Sequence, residues 1–266
     1  MKNIVWLNIT LVSCLSFYSL TLSASDTAKE KRWADQIVDS IMVGEAEWLT
    51  SNGHKFLGIY TEHTTEKAEG GVIVLHGSGV HPNWPDVVHP VRTLLPDHGW
   101  QTLSLQMPVL PNEADYKEYI PLFDEVAPRI TAGVEFLKSK GINNIVILGH
   151  SLGSSMAAHA LVTGKPDSSV KGLVAIGVAG NLIKDDKKNY STSLAYIKIP
   201  ILDIYGSDDL DIVRNNADKR AMAAKKSGNT HYTQIIVDGA NHMFTGKGDE
   251  LVERVHSWLE TNTPGK

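Results

Sequence analysis

The alternation of short apolar runs with longer amphipathic stretches constrains the fold of this chain more than any other feature. Six runs have the length and the β-branched content of buried strands, and segments of helical periodicity fill the intervals between them. The runs are 72–75, 102–105, 145–148, 173–178, 201–205 and 235–237. Parallel strands that are covered on both faces read as near-continuous apolar runs. The pattern therefore predicts an α/β fold with a mostly parallel central sheet and helices on both faces.

A hairpin is predicted ahead of the first run. Asn52–Gly53 separates the apolar stretches 47–50 and 55–60, and both turn residues accept positive φ, so the pair favours a two-residue antiparallel connection. Amphipathic spacing predicts helices at 33–42, 86–97, 116–140, 152–163, 212–226 and 249–261. The stretch 179–200 is too short for a separate lid. We therefore expect no large lid domain and an open site, covered by segments 80–90, 108–116 and 181–196.

The N-terminus has the layout of a secretory signal peptide. A short basic start, an apolar stretch over 4–22 and the small residues 23–25 follow one another in the required order. We predict a signal peptide at 1–25 and one domain at 26–266, in the periplasm or secreted, with no transmembrane segment after cleavage. Two alternatives are an uncleaved membrane anchor, because about 20 apolar residues can span a bilayer, and a lipoprotein anchored through Cys14.

Composition excludes several other classes of protein. The 266 residues carry 25 basic and 30 acidic side chains, a formal net charge of −5, which argues against a nucleic-acid surface. Cys14 is the single cysteine, so the chain forms no internal disulfide and no multi-thiolate metal site. His76, His81, His89 and His98 are clustered, but no pair has the helical spacing with a carboxylate that zinc peptidases use. We predict no metal and no cofactor.

A short glycine-rich segment carries the strongest indication of chemistry. Gly149–His150–Ser151–Leu152–Gly153 follows the apolar run 145–148 and precedes a small-residue helical stretch. The pattern Gly-x-Ser-x-Gly between a strand and a helix is the nucleophile elbow, a sharp turn that exposes the serine hydroxyl. Gly149 and Gly153 are expected to permit close approach of the two backbones. Ser151 is therefore the predicted nucleophile.

Two later loops supply the partners that a serine nucleophile needs. Asp208 and Asp209 follow the run 201–205, and His242 follows the run 235–237. Functional sites in open α/β sheets assemble beyond the carboxyl ends of the strands. We predict that His242 is the general base and that Asp209 orients it, with Asp208 as the alternative acid.

A backbone oxyanion hole is predicted beside the serine. The segment His76–Gly77–Ser78–Gly79 follows the first parallel strand and matches the His-Gly loop that supplies one N–H group. We assign this donor to Ser78, with Gly77 as the alternative, and the second donor to Leu152. His76 is expected to brace the loop.

These motifs, in the order Ser151, Asp209, His242, resemble those of the α/β-hydrolase superfamily from about residue 45 to the end of the chain. Segments 75–85, 89–100 and 105–110 are also similar to a family of exported gammaproteobacterial α/β-hydrolase-like proteins, which implies an envelope location. The resemblance implies an α/β-hydrolase fold. The predicted function is an exported serine hydrolase that cleaves an ester, thioester or related acyl bond of a small-molecule or surface-presented substrate. The alternative is a non-catalytic binding or envelope-maintenance protein of the same fold.

Overall fold

An eight-stranded, mostly parallel sheet organises the chain in a computed structural model that describes residues 25–180, 188–263 and 265. The predicted leader through Ala24, including Cys14, and the segment 181–187 lie outside the described residues. The strands are β1 (Glu45–Ser51), β2 (His54–Thr61), β3 (Gly70–Leu75), β4 (Trp100–Leu105), β5 (Ile145–His150), β6 (Val170–Ile176), β7 (Ile201–Asp208) and β8 (Tyr232–Asn241). Their order is β1-β2-β4-β3-β5-β6-β7-β8, and all pairs from β4 to β8 are parallel. The predicted fold class is confirmed.

The antiparallel hairpin is also present. β1 and β2 pair from Glu45 opposite Tyr60 to Ser51 opposite His54. The two turn residues Asn52 and Gly53 have φ of 49° and 78°, as a two-residue hairpin turn requires. β2 then pairs antiparallel with β4, which makes the sheet mixed at this edge.

Helices cover both faces of the sheet. They are α1 (Thr27–Ile37), α2 (Val88–Leu94), α3 (Val126–Ser139), α4 (Leu152–Thr163), α5 (Tyr190–Ser193), α6 (Asp211–Arg214), α7 (Ala217–Lys226) and α8 (Gly248–Asn262). Alternate residues of β3 point to opposite faces: Ile73 and Leu75 join the core under α3 and α4, and Val72 and Val74 join the core under α2 and α8. Burial on both faces explains why the strands read as continuous apolar runs.

The N-terminal helix begins earlier than its apolar spacing predicts. The spacing predicts a helix from residue 33, whereas α1 begins at Thr27, and its N-cap Asp26 accepts a hydrogen bond from the Lys29 amide. Lys29 and Glu30 are buried in the first turns. The Lys29 ammonium donates to the Leu110 carbonyl and to the Asn112 side chain. Because these partners are distant in sequence, local periodicity does not reveal that the first turns are buried.

The long helix predicted over 116–140 is divided. Residues Tyr116–Glu125 form 3₁₀ turns that contain Pro121, and α3 begins only at Val126. Proline removes a backbone donor from the helical ladder, which accounts for the irregular first half. The connection from β6 to β7, residues 177–200, holds the one-turn helix α5 and is too short for a lid domain. Within 25–180 and 188–263, no helix is both long and apolar enough to cross a bilayer.

Candidate active site

Ser151 lies in a strained turn between β5 and α4. Its φ is +53° and its ψ is −118°, a conformation that L-residues rarely adopt. A Cβ at Gly149 would lie 2.5 Å from the backbone of Gly153, and a Cβ at Gly153 would lie 2.5 Å from the Leu75 and His76 carbonyls. Both glycines are therefore required by close backbone contacts. The turn projects the Ser151 hydroxyl beyond the carboxyl edge of the sheet.

The structure brings Ser151, His242 and Asp209 into one hydrogen-bonded row. The distance from Ser151 Oγ to His242 Nε2 is 3.0 Å, and the distance from His242 Nδ1 to Asp209 Oδ1 is 2.7 Å. The carboxylate is an acceptor, so Nδ1 carries the proton and Nε2 accepts from the serine hydroxyl. The Asp209 side chain is fully buried, while the His242 side chain keeps 19% of its exposure. This geometry leaves Nε2 unprotonated and able to accept a proton from Ser151.

Asp209 and Asp208 have different surroundings. Asp209 Oδ1 also accepts the backbone N–H of Leu210 at 2.7 Å, which fixes the carboxylate beneath His242. Asp208 is exposed, and its carboxylate contacts the Ser207 hydroxyl instead. Of the two acids considered from the sequence, Asp209 is the one placed against the imidazole.

His150 connects the serine turn with the loop that carries His242. Its Nε2–H donates to the His242 backbone carbonyl at 2.9 Å, and the two rings lie 5.0 Å apart. Burial lowers the pKa of His150 to about 4. The imidazole is therefore neutral at physiological pH and donates this single bond from Nε2.

The loop after β3 lies beside Ser151. A Cβ on Gly77 would be 3.3 Å from the Ser151 Cβ. Within residues 25–180 and 188–263, the N–H groups of Gly77, Ser78 and Leu152 donate no hydrogen bond. His76 braces the loop: its Nδ1–H donates to the Gly77 carbonyl at 2.8 Å, and its Nε2 accepts the Met107 N–H at 2.9 Å. Burial lowers the pKa of His76 to about 3 and keeps the ring neutral.

The outer part of this loop is fixed by an aromatic row and a buried arginine. His81 packs edge-on between Trp33 of α1 and Trp84, with ring centroids 5.5 and 5.4 Å apart. Arg92 of α2 donates through Nε to the Asn83 side chain at 3.0 Å. These contacts stabilise the covering segment predicted at 80–90.

The clustered histidines have separate roles. His76 and His81 have the partners given above, and His98 stacks on His256 with 4.1 Å between the ring centroids. Among the residues that the structure describes, no group of three or more His, Cys, Asp or Glu side chains could hold a metal ion.

Sequence reasoning missed Gly177, at the carboxyl end of β6. Its φ is +59°, and a Cβ there would lie 3.1 Å from His242 Nδ1 and 3.2 Å from Asp209 Oδ2. A glycine near the end of the predicted apolar run 173–178 was the available signal. Its contact with both partners depends on the pairing of β6 with its neighbours, which the sequence pattern does not reveal.

Solved structures with this architecture include several α/β-hydrolases. Dienelactone hydrolase from Anabaena variabilis is 21% identical, with a TM-score of 0.63 over 83% of this chain and 98% of that one. Est1E from Butyrivibrio proteoclasticus is 17% identical, with a TM-score of 0.63 over 82% and 98% of the two chains. An esterase from Pyrococcus furiosus is 18% identical, with a TM-score of 0.64 over 83% and 93%. At these identities the likeness establishes the α/β-hydrolase fold.

The sequence also matches one family directly. The match covers residues 11–122 and 121–261 and is to DUF3530, described as a protein of unknown function. The narrower resemblance to exported gammaproteobacterial proteins stays a prediction. Since the two matched segments together span most of its length, the chain belongs to the DUF3530 family.

Proposed function

We propose that this protein is a serine hydrolase that cleaves an ester, thioester or related acyl bond through an acyl-enzyme. The observation that carries the proposal is the row from Ser151 Oγ through His242 to Asp209, at 3.0 and 2.7 Å, with the serine in a strained strand-to-helix turn. A serine hydroxyl is a weak nucleophile until an adjacent base accepts its proton. The named α/β-hydrolases of the same fold favour a hydrolase over other uses of it.

Each residue has a defined role in the proposed reaction. Ser151 Oγ attacks the acyl carbon while His242 Nε2 takes its proton, and His242 then protonates the leaving group. Asp209 holds the imidazole orientation and stabilises the imidazolium. Water attacks the acyl-enzyme in the second half-reaction, again with His242 as the base.

The oxyanion formed in each half-reaction needs donors that are already in place. We assign these donors to the N–H groups of Ser78, in the loop that brings Gly77 beside Ser151, and of Leu152, the residue after the serine; neither has an acceptor in the described part of the chain. Loss of one such donor typically costs about 10²–10³-fold in rate. The proposed substrate is a small-molecule or surface-presented acyl compound, because the β6–β7 connection cannot supply a deep lid.

A fluorophosphonate probe tests the proposal. We expect covalent labelling of the wild type and none of Ser151→Ala. Asp209→Asn should lower esterase kcat by about 10⁴-fold. Asp208→Asn, which removes the adjacent exposed carboxylate, should stay within about twofold and is the matched control. A folded wild-type protein that takes up no probe would favour the alternative, a non-catalytic binding or envelope-maintenance protein.

The acyl group can be narrowed with a panel of substrates. Short- and long-chain esters, a thioester and an amide separate the three bond types. A hydroxycinnamate ester belongs in the panel because Est1E has been solved with ferulic acid bound. An open site should favour short or surface-presented acyl groups.

Export is part of the proposal. The basic, apolar and small-residue order of segment 1–25 supports a cleaved signal peptide and a periplasmic or secreted domain. Anchoring through Cys14 is the alternative. The mass of the protein recovered from an exporting host separates the two, because a lipoprotein would begin at a lipid-modified Cys14.

A further inference from the structure

Ser25 is built into the folded domain. Its backbone nitrogen donates to Glu125 Oε1 at 3.1 Å, and its hydroxyl donates to Glu125 Oε2 at 2.8 Å. The next residue, Asp26, donates its N–H to the Val109 carbonyl at 2.7 Å and caps α1. Ser25 is buried. The folded domain therefore includes Ser25, one residue before the boundary predicted from the sequence.

Glu125 belongs to a cluster with a surplus of negative charge. The Arg129 guanidinium makes two 3.0 Å hydrogen bonds to the Glu30 carboxylate, and both side chains are buried. Glu125 Oε2 lies 3.6 Å from the same guanidinium. Two carboxylates thus share one arginine, and the His54 imidazole lies 3.1 Å from Glu30 Oε2, an oxygen that also accepts from Arg129. Partly buried charges are costly unless they are paired, and both oxygens of Glu125 face Ser25.

A free α-amino group at Ser25 would supply the missing positive charge. In an uncleaved chain the Ser25 nitrogen is a neutral amide. In a chain that begins at Ser25 the same atom is an ammonium, and a charge-assisted hydrogen bond to a carboxylate is roughly twice as strong as a neutral one. Ala24, the residue directly before this nitrogen, has the small side chain that a signal cleavage site requires at that position.

We propose that the leader is removed at the Ala24–Ser25 bond and that the new α-ammonium pairs with Glu125. Hydrolysis breaks this amide: water adds its oxygen to the Ala24 carbonyl carbon, which leaves as a carboxylate, and the Ser25 nitrogen is protonated. The ion pair fastens the start of α1 to the start of α3. The inference rests on the proposed export and is independent of the chemistry at Ser151.

N-terminal sequencing tests the cleavage position. The full-length chain is expressed with its own leader in an exporting bacterial host, and the purified protein is sequenced and weighed. We expect it to begin Ser25-Asp26-Thr27. A start at Ala24 or Asp26, an uncut leader or a lipid on Cys14 would each overturn the proposal, whether or not the same preparation reacts with a fluorophosphonate.

Periodate tests the ion pair, because it converts an N-terminal serine, and no internal one, to an aldehyde. The treatment removes both Ser25 groups that face Glu125. We expect the melting temperature of the wild type to fall by about 2–4 °C. It should fall far less in Glu125→Gln, a near-isosteric change at a partly exposed side chain.

Glu135→Gln is the matched control, since it removes an exposed carboxylate from the same helix α3. It should respond to periodate as the wild type does. Equal shifts in the wild type and in Glu125→Gln would show that the Ser25 amine contributes no pairing energy and would overturn this half of the proposal.

Discussion

His150 acts on the site through a backbone atom. Its Nε2–H donates to the His242 carbonyl at 2.9 Å, so the ring sets the position of the loop that carries the proposed base. We expect His150→Phe to lower kcat for a short acyl ester by about 10²-fold with little change in KM, because a small displacement of the base misaligns proton transfer. His150→Gln retains an N–H donor and should recover part of kcat. If both variants lost the same fraction of kcat, and their melting temperatures fell with it, the role of His150 would be one of packing alone.

Gly177 lies against the side chains of both His242 and Asp209. A methyl group at this position would lie 3.1–3.2 Å from the facing atoms of both side chains. Gly177→Ala should therefore lower kcat by about 10-fold or more by tilting the imidazole. Gly141→Ala is the matched control: its φ of +85° is also in the left-handed region, but no atom lies within 4 Å of the added carbon. If the two variants lose activity equally, strain and not contact is responsible.

The residues of the candidate site divide into those that local pattern predicts and those that it does not. Ser151, Asp209 and His242 each follow a separate apolar run, so the topology of a parallel sheet brings them to one edge. The choice of Asp209 over Asp208 agrees with the geometry, in which only Asp209 contacts His242. His150 and Gly177 contact residues that follow strands distant in sequence, so hydrophobic periodicity does not predict these contacts.

At the scale of elements, the sequence predicts best where burial follows a period. All six parallel strands, the hairpin and α4 occur where the apolar pattern places them. The first turns of α1 were missed because the buried side chains there are Lys29 and Glu30. Glu30 is compatible with the interior because Arg129, 99 positions away, pairs with it. In the local sequence, a buried charged residue whose partner is distant along the chain looks the same as a charged residue on a solvent-exposed helix face.

The pair Asp203–Arg220 fastens α7 to β7. Both side chains are fully buried, with Nε to Oδ2 at 2.7 Å, and Tyr232 and Gln234 donate to the same carboxylate. Arg220→Met should lower the free energy of unfolding by about 3–5 kcal/mol, because it leaves a buried carboxylate uncompensated. Urea denaturation measures the change.

Two further variants distinguish the effect of the uncompensated Asp203 carboxylate from the effect of lost packing around residue 220. Adding Asp203→Asn to Arg220→Met should restore part of the loss, since no unpaired charge then remains. Arg214→Met breaks the exposed pair with Asp211 and should cost less than about 1 kcal/mol. A double variant no more stable than Arg220→Met alone would contradict the charge explanation.

For the whole molecule, buried neutral histidines predict sensitivity to acid. Burial lowers the pKa of His76 to about 3 and of His150 to about 4, and it also lowers the pKa of His81, His89 and His256. An unfolded histidine titrates near 6.5. Below that pH these histidines bind protons in the unfolded chain but stay unprotonated in the folded chain, so the free energy of unfolding falls as pH falls from about 6.5 towards 4. Each fully buried ring contributes about 2 kcal/mol of this loss by pH 5.

His76 provides the sharpest measurement of this effect. Urea denaturation at pH 7.5 and at pH 5 should show that His76→Gln is less stable than the wild type at pH 7.5, because two loop-bracing hydrogen bonds change. This difference in the free energy of unfolding should narrow by about 2 kcal/mol at pH 5, because only the wild type has the His76 ring, which must stay unprotonated in the folded state. His63→Gln, at the surface beside Thr65, serves as the control and should keep the pH dependence of the wild type. If the stability difference between the wild type and His76→Gln were the same at both pH values, the folded protein would bind a proton at His76 as readily as the unfolded chain does. That result would contradict the structure, in which His76 Nε2 accepts the Met107 N–H.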